Sequence, residues 1–118
     1  MDAERTLLQE EKNRLLQRLA EIEVEQQRQQ GLFRSVPHFS VVEVAAHALG
    51  QELSRLTQQR AAREVAATSQ STSACPQCGQ QAAVEMSKRT VRSLDGPVEV
   101  LEPAAHCPAC RRAFFPSA

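Results

Sequence analysis

The sequence predicts an α+β fold, in which an N-terminal helical hairpin precedes a small cysteine-rich domain built on a β-hairpin. Three observations support it. Residues 2–30 contain no Gly or Pro and are dense in Glu, Gln, Arg and Leu, residues 40–67 carry apolar side chains at helical spacing, and all four cysteines lie after residue 74. Good helix formers without breakers predict helices. The region after residue 74 instead alternates apolar and polar residues, as strands do.

The first predicted helix ends at Gly31 and carries an apolar stripe with a near-heptad repeat. Leu8, Leu15 and Ile22 recur every seven residues, and Leu19 follows Leu15 by four. Leu7, Leu16 and Val24 widen the stripe beyond a narrow seam. Lys12 occupies the position where a regular heptad has an apolar residue. The pattern fits one arm of a helical hairpin or a self-associating coiled coil, and both interpretations stay open.

The second predicted helix begins at a capping box, in which Ser40 is the N-cap and Glu43 the third helical residue. Phe39 precedes the cap, in the hydrophobic staple position. The apolar residues that follow have helical spacing: Val42, Ala45, Leu49, Leu53 and Leu56. A loop of nine residues, 31–39, joins the two helices, which predicts that they pack antiparallel and share their apolar stripes.

The segment after the second helix consists of small polar residues and is typical of a linker. Further on, Asp95 and Gly96 separate two runs rich in Val and Thr, which predicts a turn between the strands of a β-hairpin. The predicted organisation is a helical leader over 1–67, a linker over 68–74 and a Cys₄ ribbon over 75–118.

The four cysteines form two C-x-x-C pairs, Cys75 with Cys78 and Cys107 with Cys110, separated by 28 residues. Each pair has Pro after its first cysteine, which suits a tight turn. Two such turns supply the four thiolates of a tetrahedral zinc site, and four thiolates leave no open coordination position. A domain of 44 residues also needs a staple of this kind to fold. The cysteines therefore predict a zinc ribbon with one structural Zn²⁺.

Other roles for the cysteines are less well supported. Iron in a rubredoxin-like site uses similar turns, and ligand chemistry alone does not separate it from zinc. Disulfides need an oxidising compartment, whereas the charged N-terminus lacks the apolar region of a secretory signal. A thioredoxin-type redox pair needs a βαβ context. His106, next to Cys107, is interpreted as a strand-end residue and not as a ligand.

Composition argues against several classes of function. Fourteen basic and fourteen acidic residues give no net charge, and four Phe with no Tyr or Trp do not support stacking on single-stranded bases. No segment approaches the about 20 apolar residues of a membrane span. No catalytic triad, phosphate-binding loop or carboxylate pair is evident. We therefore expect no catalytic residues, no small-molecule substrate, no membrane partner and a cytoplasmic location.

Basic residues flank the predicted hairpin and the second cysteine pair, where they are placed to contact DNA phosphates. The candidate nucleic-acid-binding residues are Lys88, Arg89, Arg92, Arg111 and Arg112. The ribbon also has four acidic residues, and a zinc ion with four thiolates adds about −2, so the loaded ribbon is near −1. DNA binding by this fragment alone should be weak and salt-sensitive. The alternative is a protein–protein adaptor, with the helices binding a partner or a second copy.

The cysteine-rich region resembles the N-terminal zinc ribbon of DDE-type insertion-sequence transposases of the ISKra group and its relatives. The resemblance rests on three stretches, CPQCG, KRTVRSLDGPVEV and HCPACRRAFFP. It covers residues 75–116 well and the helical leader only loosely. It implies that the four cysteines bind zinc and that the five basic residues contact transposon-end DNA.

The chain departs from that family after the second cysteine pair. Members of the family continue into further helices and an RNase H-like catalytic domain, whereas this sequence stops at Ala118. The resemblance therefore implies a non-catalytic DNA-binding module, either a truncated N-terminal region or a stand-alone descendant. No enzyme activity is expected of it.

Overall fold

The computed structural model describes residues 1–68 and 70–116. It contains two helices followed by four strands: α1 Asp2–Gln29, α2 Phe39–Ala67, β1 Thr72–Ala74, β2 Gln81–Ser93, β3 Gly96–Cys107 and β4 Arg112–Phe114. This arrangement confirms the predicted α+β fold with a β-hairpin. Three residues lie outside the described ranges: Ser69, in the predicted linker, and Ser117 and Ala118, at the end of the predicted ribbon.

The chain divides into two compact units, Met1–Val44 and Ala45–Ala118. Their boundary lies within α2, so most of that helix belongs to the unit that contains the sheet. The division into leader, linker and ribbon stays a prediction. Three residues of the predicted linker, Thr72–Ala74, form β1 because they pair antiparallel with the start of β2.

The end of α1 is a Schellman motif, which explains why the helix stops where it does. Gly31 has φ of +89°, a left-handed conformation that glycine adopts without a steric penalty. The N–H of Leu32 donates to the carbonyl of Gln27 over 3.0 Å, and the N–H of Gly31 donates to that of Arg28 over 3.0 Å. These two bonds satisfy carbonyls that the helix end would leave without partners.

The start of α2 differs from the predicted capping box. The helix begins at Phe39, so Ser40 is a helical residue and not the N-cap. The ring Nδ1 of His38 accepts from the N–H of Ser40 over 3.3 Å and lies 2.7 Å from its hydroxyl oxygen. The histidine ring therefore takes the capping role, and Phe39, predicted as a staple, is exposed.

The four strands form one antiparallel sheet in the order β1-β2-β3-β4. Its centre is the long hairpin of β2 and β3, whose register runs without interruption from Val84 opposite Ala105 to Ser93 opposite Gly96. The short outer strands pair only with the ends of this hairpin. The buried side chains of the sheet region are few: Cys75, Ala82, Val98, Ala105 and Cys107.

The hairpin turn lies one residue earlier than the sequence predicted. Ser93 pairs with Gly96, so Leu94 and Asp95 form the two-residue turn and Gly96 is the first residue of β3. Gly96 has φ of +109°, which explains why the position requires glycine. The side chain of Ser93 donates to the carbonyl of Gly96 over 2.6 Å and closes the turn.

Within the second unit, α2 holds this turn by polar contacts. The hydroxyl of Ser54 donates to Oδ2 of Asp95 over 2.5 Å, and Nη1 of Arg55 donates to the carbonyl of Asp95 over 2.8 Å. The predicted apolar stripe does not form a core at this point, because Leu53 and Leu56 are exposed. The helix therefore presents polar side chains to the tip of the hairpin.

Candidate metal centre

Each C-x-x-C pair lies at the turn of a short hairpin. The first turn joins β1 to β2, where Ala74 pairs with Gln81, and the second joins β3 to β4, where Cys107 pairs with Arg112. β2 leaves the first turn and β3 enters the second, and these two strands are antiparallel neighbours. Both turns consequently lie at the same end of the sheet, opposite the Leu94–Asp95 turn.

The two turns have equivalent backbone hydrogen bonds. In each turn, the residue after the second cysteine adopts a left-handed conformation. The N–H of Gly79 donates to the carbonyl of Cys75 over 2.8 Å, and the N–H of Arg111 donates to that of Cys107 over 2.7 Å. Gly79 has φ of +77° and Arg111 has φ of +55°. The first turn therefore has glycine where the backbone favours it, whereas the second places an arginine in a conformation that L-residues rarely adopt.

The four sulfur atoms converge into one cluster. Every Sγ lies within 4.8 Å of the others, and two of the separations are 3.5 Å between Cys78 and Cys107 and 3.8 Å between Cys75 and Cys110. Four sulfurs that each lie about 2.3 Å from one ion would be about 3.8 Å apart in a tetrahedron. All four cysteines are free thiols. They form a possible metal site with a complete set of four soft ligands.

The pKa values of two of the four thiols are shifted in opposite directions. The backbone N–H groups of Cys78 and Gln77 donate to the sulfur of Cys75 and lower its pKa to about 7. Hydrogen bonding with the sulfurs of Cys78 and Cys75 raises the pKa of Cys110 to about 12. Four thiolates repel one another at these distances, so the cluster carries its full negative charge only around a cation.

His106 lies in β3 beside Cys107 and is exposed. Because successive side chains of a strand point to opposite faces, His106 and Cys107 lie on opposite faces of the sheet. The sulfur cluster is formed without the imidazole, in agreement with the interpretation of His106 as a strand residue.

The structure separates the five candidate nucleic-acid-binding residues. Cross-strand partners share a face. Lys88 pairs with Leu101, Arg92 with Pro97, and Arg112 with Cys107. The three partners are alternate residues of β3, so Lys88, Arg92 and Arg112 lie on one face of the sheet. We call this the three-cation face.

Arg89 lies on the opposite face, where it pairs across the strands with Val100. Its Nη2 is 2.5 Å from Oε1 of Glu102, which is on the same face, and its guanidinium carbon is 6.0 Å from the centre of the Phe115 ring. These contacts give Arg89 a local packing role that the sequence pattern did not reveal. Arg111 lies in the second cysteine turn and is exposed.

One ion pair lies on the three-cation face. Nζ of Lys88 is 3.8 Å from Oε1 of Glu99, and both side chains are largely exposed. An exposed pair of this kind is weak and does not hold the lysine in place. Lys88 therefore remains able to reach an anion in solution.

In the described ranges, no helix combines the length and apolar character that crossing a membrane requires. No protein-family model, curated protein or solved structure matches the chain.

Proposed function

We propose that the chain is a non-catalytic, zinc-stabilised module that contacts duplex DNA, of the kind that the resemblance to transposase N-terminal ribbons implies. The observation that carries the proposal is the three-cation face of a sheet that has the four-sulfur cluster at one end. Lys88, Arg92 and Arg112 extend along one face of the sheet, where they can contact phosphates of a duplex. The cluster would hold the two cysteine turns together at one end of the sheet.

Zinc is the ion that we assign to the cluster. Tetrahedral sites of four cysteines are typical of structural zinc, and zinc has no redox chemistry that would require a partner. Such a site leaves no coordination position for substrate, which is why the proposed role is structural. The thiols must stay reduced to bind the ion, and this requirement favours the cytoplasm.

The proposed DNA contact is weak because the zinc-loaded ribbon has a net charge of about −1 and so no excess positive charge. Three phosphate contacts predict that log K falls with log salt concentration with a slope of about −2.7. Arg89 is left out of this contact set because it lies on the other face and pairs with Glu102. The proposal thus narrows the five basic residues of the sequence to three on the sheet, with Arg111 beside them in the second turn.

The test compares two arginines of the same strand that lie on opposite faces. Zinc-loaded protein is titrated into a fluorescent random duplex of about 20 base pairs, at salt concentrations from about 25 to 200 mM. Arg92→Gln should weaken binding and reduce the salt slope by about 1, whereas Arg89→Gln should leave the slope unchanged.

Two results would contradict the DNA proposal. One is the absence of binding at the lowest salt concentration by protein that contains one zinc per chain. The other is an equal change in salt slope for both variants, which would show that the face does not matter. Zinc content and circular dichroism of each variant establish that it is folded.

A second candidate function, a protein-binding adaptor, is supported by exposed apolar residues in the first unit. Val36 in the loop between the helices is 97% exposed, and Phe39 at the start of α2 is 72% exposed. Neighbouring large apolar side chains on a surface are typical of protein contact sites. The adaptor is favoured if zinc-loaded protein fails to bind duplex at any salt concentration.

A further inference from the structure

The apolar stripe of α1 is exposed to solvent along most of the helix. The exposed fraction is 62% for Leu8, 60% for Leu15 and 40% for Ile22, and Leu19 is half-buried. Because each residue of an α-helix advances by about 100°, these four side chains lie within an arc of about 60°. These four residues match the seam of a coiled coil, and the exposed side chains of Leu7 and Leu16 flank the seam by about 60° on either side.

The spacing assigns these residues to the two core positions of a heptad. Leu8, Leu15 and Ile22 take position d, and Lys12 and Leu19 take position a. Leu8 and Leu15 at d are a common choice in two-stranded coiled coils, whereas Leu19 at a with Ile22 at d is not, so the polar residues at a decide the number of strands. α1 has 28 residues, so it contains four heptads and is about 42 Å long.

The charges beside this stripe are complementary to a second copy of the same helix. In a parallel two-stranded coiled coil, position g of one helix faces position e of the next heptad in its partner. Arg18 is at g and Glu23 is at the following e, so the pair is attractive in both directions. Arg18 also contacts Glu21 of its own helix at 3.2 Å, but both side chains are about two-thirds exposed. Breaking so exposed a pair costs little.

Lys12 interrupts the apolar seam in a way that favours one assembly. Arg5 and Gln26 also occupy position a, near the two ends of the helix, and Lys12 is the polar residue at a that lies between apolar residues of the seam. A Lys at position a fixes the register and the number of strands, at a cost in stability. Its ammonium would lie beside Glu11, which occupies position g of the second copy and offsets part of the repulsion between the two lysines. The residue that makes the heptad imperfect thereby selects a paired, in-register arrangement.

We propose that α1 binds α1 of a second copy of this chain in a parallel two-stranded coiled coil, with Leu8, Leu15, Leu19 and Ile22 in its seam. This inference is independent of the DNA proposal. A dimer would, however, present two ribbons to one duplex, and linked weak sites bind more tightly than either site alone.

Two neighbouring leucines provide a matched test. Leu7 and Leu8 are 65% and 62% exposed, but only Leu8 is in the seam. Sedimentation equilibrium of the full zinc-loaded chain should give a mass near twice 13.0 kDa. Leu8→Glu should weaken the dimer at least about tenfold, and Leu7→Glu less than about twofold. A monomer up to about 100 μM, or equal effects of the two variants, would overturn the proposal.

Lys12→Leu tests whether Lys12 fixes the register and the number of strands of the coiled coil. Making the seam apolar without interruption from Leu8 to Ile22 should tighten self-association at least about tenfold or raise the number of strands. An unchanged dimer would contradict the role assigned to Lys12. Circular dichroism and zinc content report whether each variant is folded, and neither should change, because Lys12 is exposed on α1.

Energy transfer between N-terminal dyes tests the orientation. In a parallel dimer the two N-termini lie together, so chains labelled with donor and acceptor should show high transfer. In an antiparallel dimer the N-termini would be about 42 Å apart, the length of α1, and transfer would be low. Low transfer in a confirmed dimer would overturn the parallel arrangement.

Discussion

Nη1 of Arg55 in α2 donates a hydrogen bond to the main-chain carbonyl of Asp95 at the turn of the hairpin, over 2.8 Å. The carboxylate of the same Asp95 accepts from Ser54 over 2.5 Å. One turn residue is thus held through both its backbone and its side chain by consecutive residues of the helix. The four-sulfur cluster lies at the other end of the sheet, so contacts with α2 and the converging cysteines occupy opposite ends of the hairpin.

Removing the Asp95 side chain should loosen the turn. Asp95→Ala deletes the acceptor for Ser54, and we expect the free energy of unfolding to fall by about 1 kcal/mol, the usual net value of a partly buried hydrogen bond. Asp95→Asn keeps an oxygen acceptor, so it should lower the free energy of unfolding by less than Asp95→Ala does. Urea denaturation of the zinc-loaded protein measures both. Equal stability of Asp95→Ala and the original chain would mean that the Ser54 contact contributes nothing.

Cys107→Ser should strongly weaken metal binding. The Cys107 side chain is fully buried, and its sulfur is 3.5 Å from that of Cys78, so serine leaves three soft ligands around the ion. We expect the affinity to fall by more than the about 10–100-fold typical of losing an outer partner. Competition with a chromophoric chelator measures it. His106→Ala, the adjacent exposed residue, is the control and should bind zinc as the original chain does.

Metal binding should weaken as pH falls, with a change of slope near pH 7. Cys110, whose pKa is raised to about 12, must lose a proton on binding at any pH from 5 to 9. Cys75, whose pKa is lowered to about 7, is already ionised above that pH and must lose a proton only below it. Each displaced proton changes the affinity about tenfold per pH unit. The slope of log affinity against pH should therefore steepen by one below pH 7.

Chelator competition between pH 5 and 9 measures this slope. A constant slope through pH 7 would contradict the assignment of Cys75 as the thiol that its turn holds ionised. The backbone N–H groups of Gln77 and Cys78 produce the effect, so side-chain substitution at Gln77 should leave the change of slope in place.

Arg111→Gly should stabilise the second cysteine turn. Arg111 has φ of +55°, and glycine adopts this conformation without the steric cost that a side chain brings. We expect a gain of about 0.5–1 kcal/mol in the free energy of unfolding after the greater flexibility of glycine in the unfolded chain is included. Gly79→Ala, the reverse change in the first turn, should lower the free energy of unfolding by about 1 kcal/mol. Thermal unfolding of both variants would refute the argument if the signs were the same.

The parts of the structure that sequence reasoning predicted are those that local pattern determines. The spacing of the two cysteine pairs identified the four residues that the structure brings together. The alternating runs around Gly96 identified the hairpin. The turn was predicted one residue too late. A left-handed glycine fits either the second residue of the turn or the first residue of the next strand. The pairing of Ser93 with Gly96 shows that Gly96 is the first residue of the strand.

Other features depend on contacts that no local pattern contains. The capping box at Ser40 was a sound local signal, but the ring of His38 lies two residues earlier and competes for the same N–H. The hydrogen bonds between α2 and the turn join residues that are 40 or 41 positions apart in the sequence, and no apolar pattern predicts them. The face that each arginine occupies depends on register, which the sequence leaves open.

The lengths of the strands have a consequence for solubility. β2 has 13 residues, but β1 pairs with it only as far as Ala83, so most of its outer edge carries no strand partner in the described chain. An open edge is a template for joining the sheets of two molecules, and charged side chains suppress this. Lys88 and Arg92 lie along that edge. The cations proposed to meet phosphate would also keep this nearly neutral chain from aggregating through its own sheet.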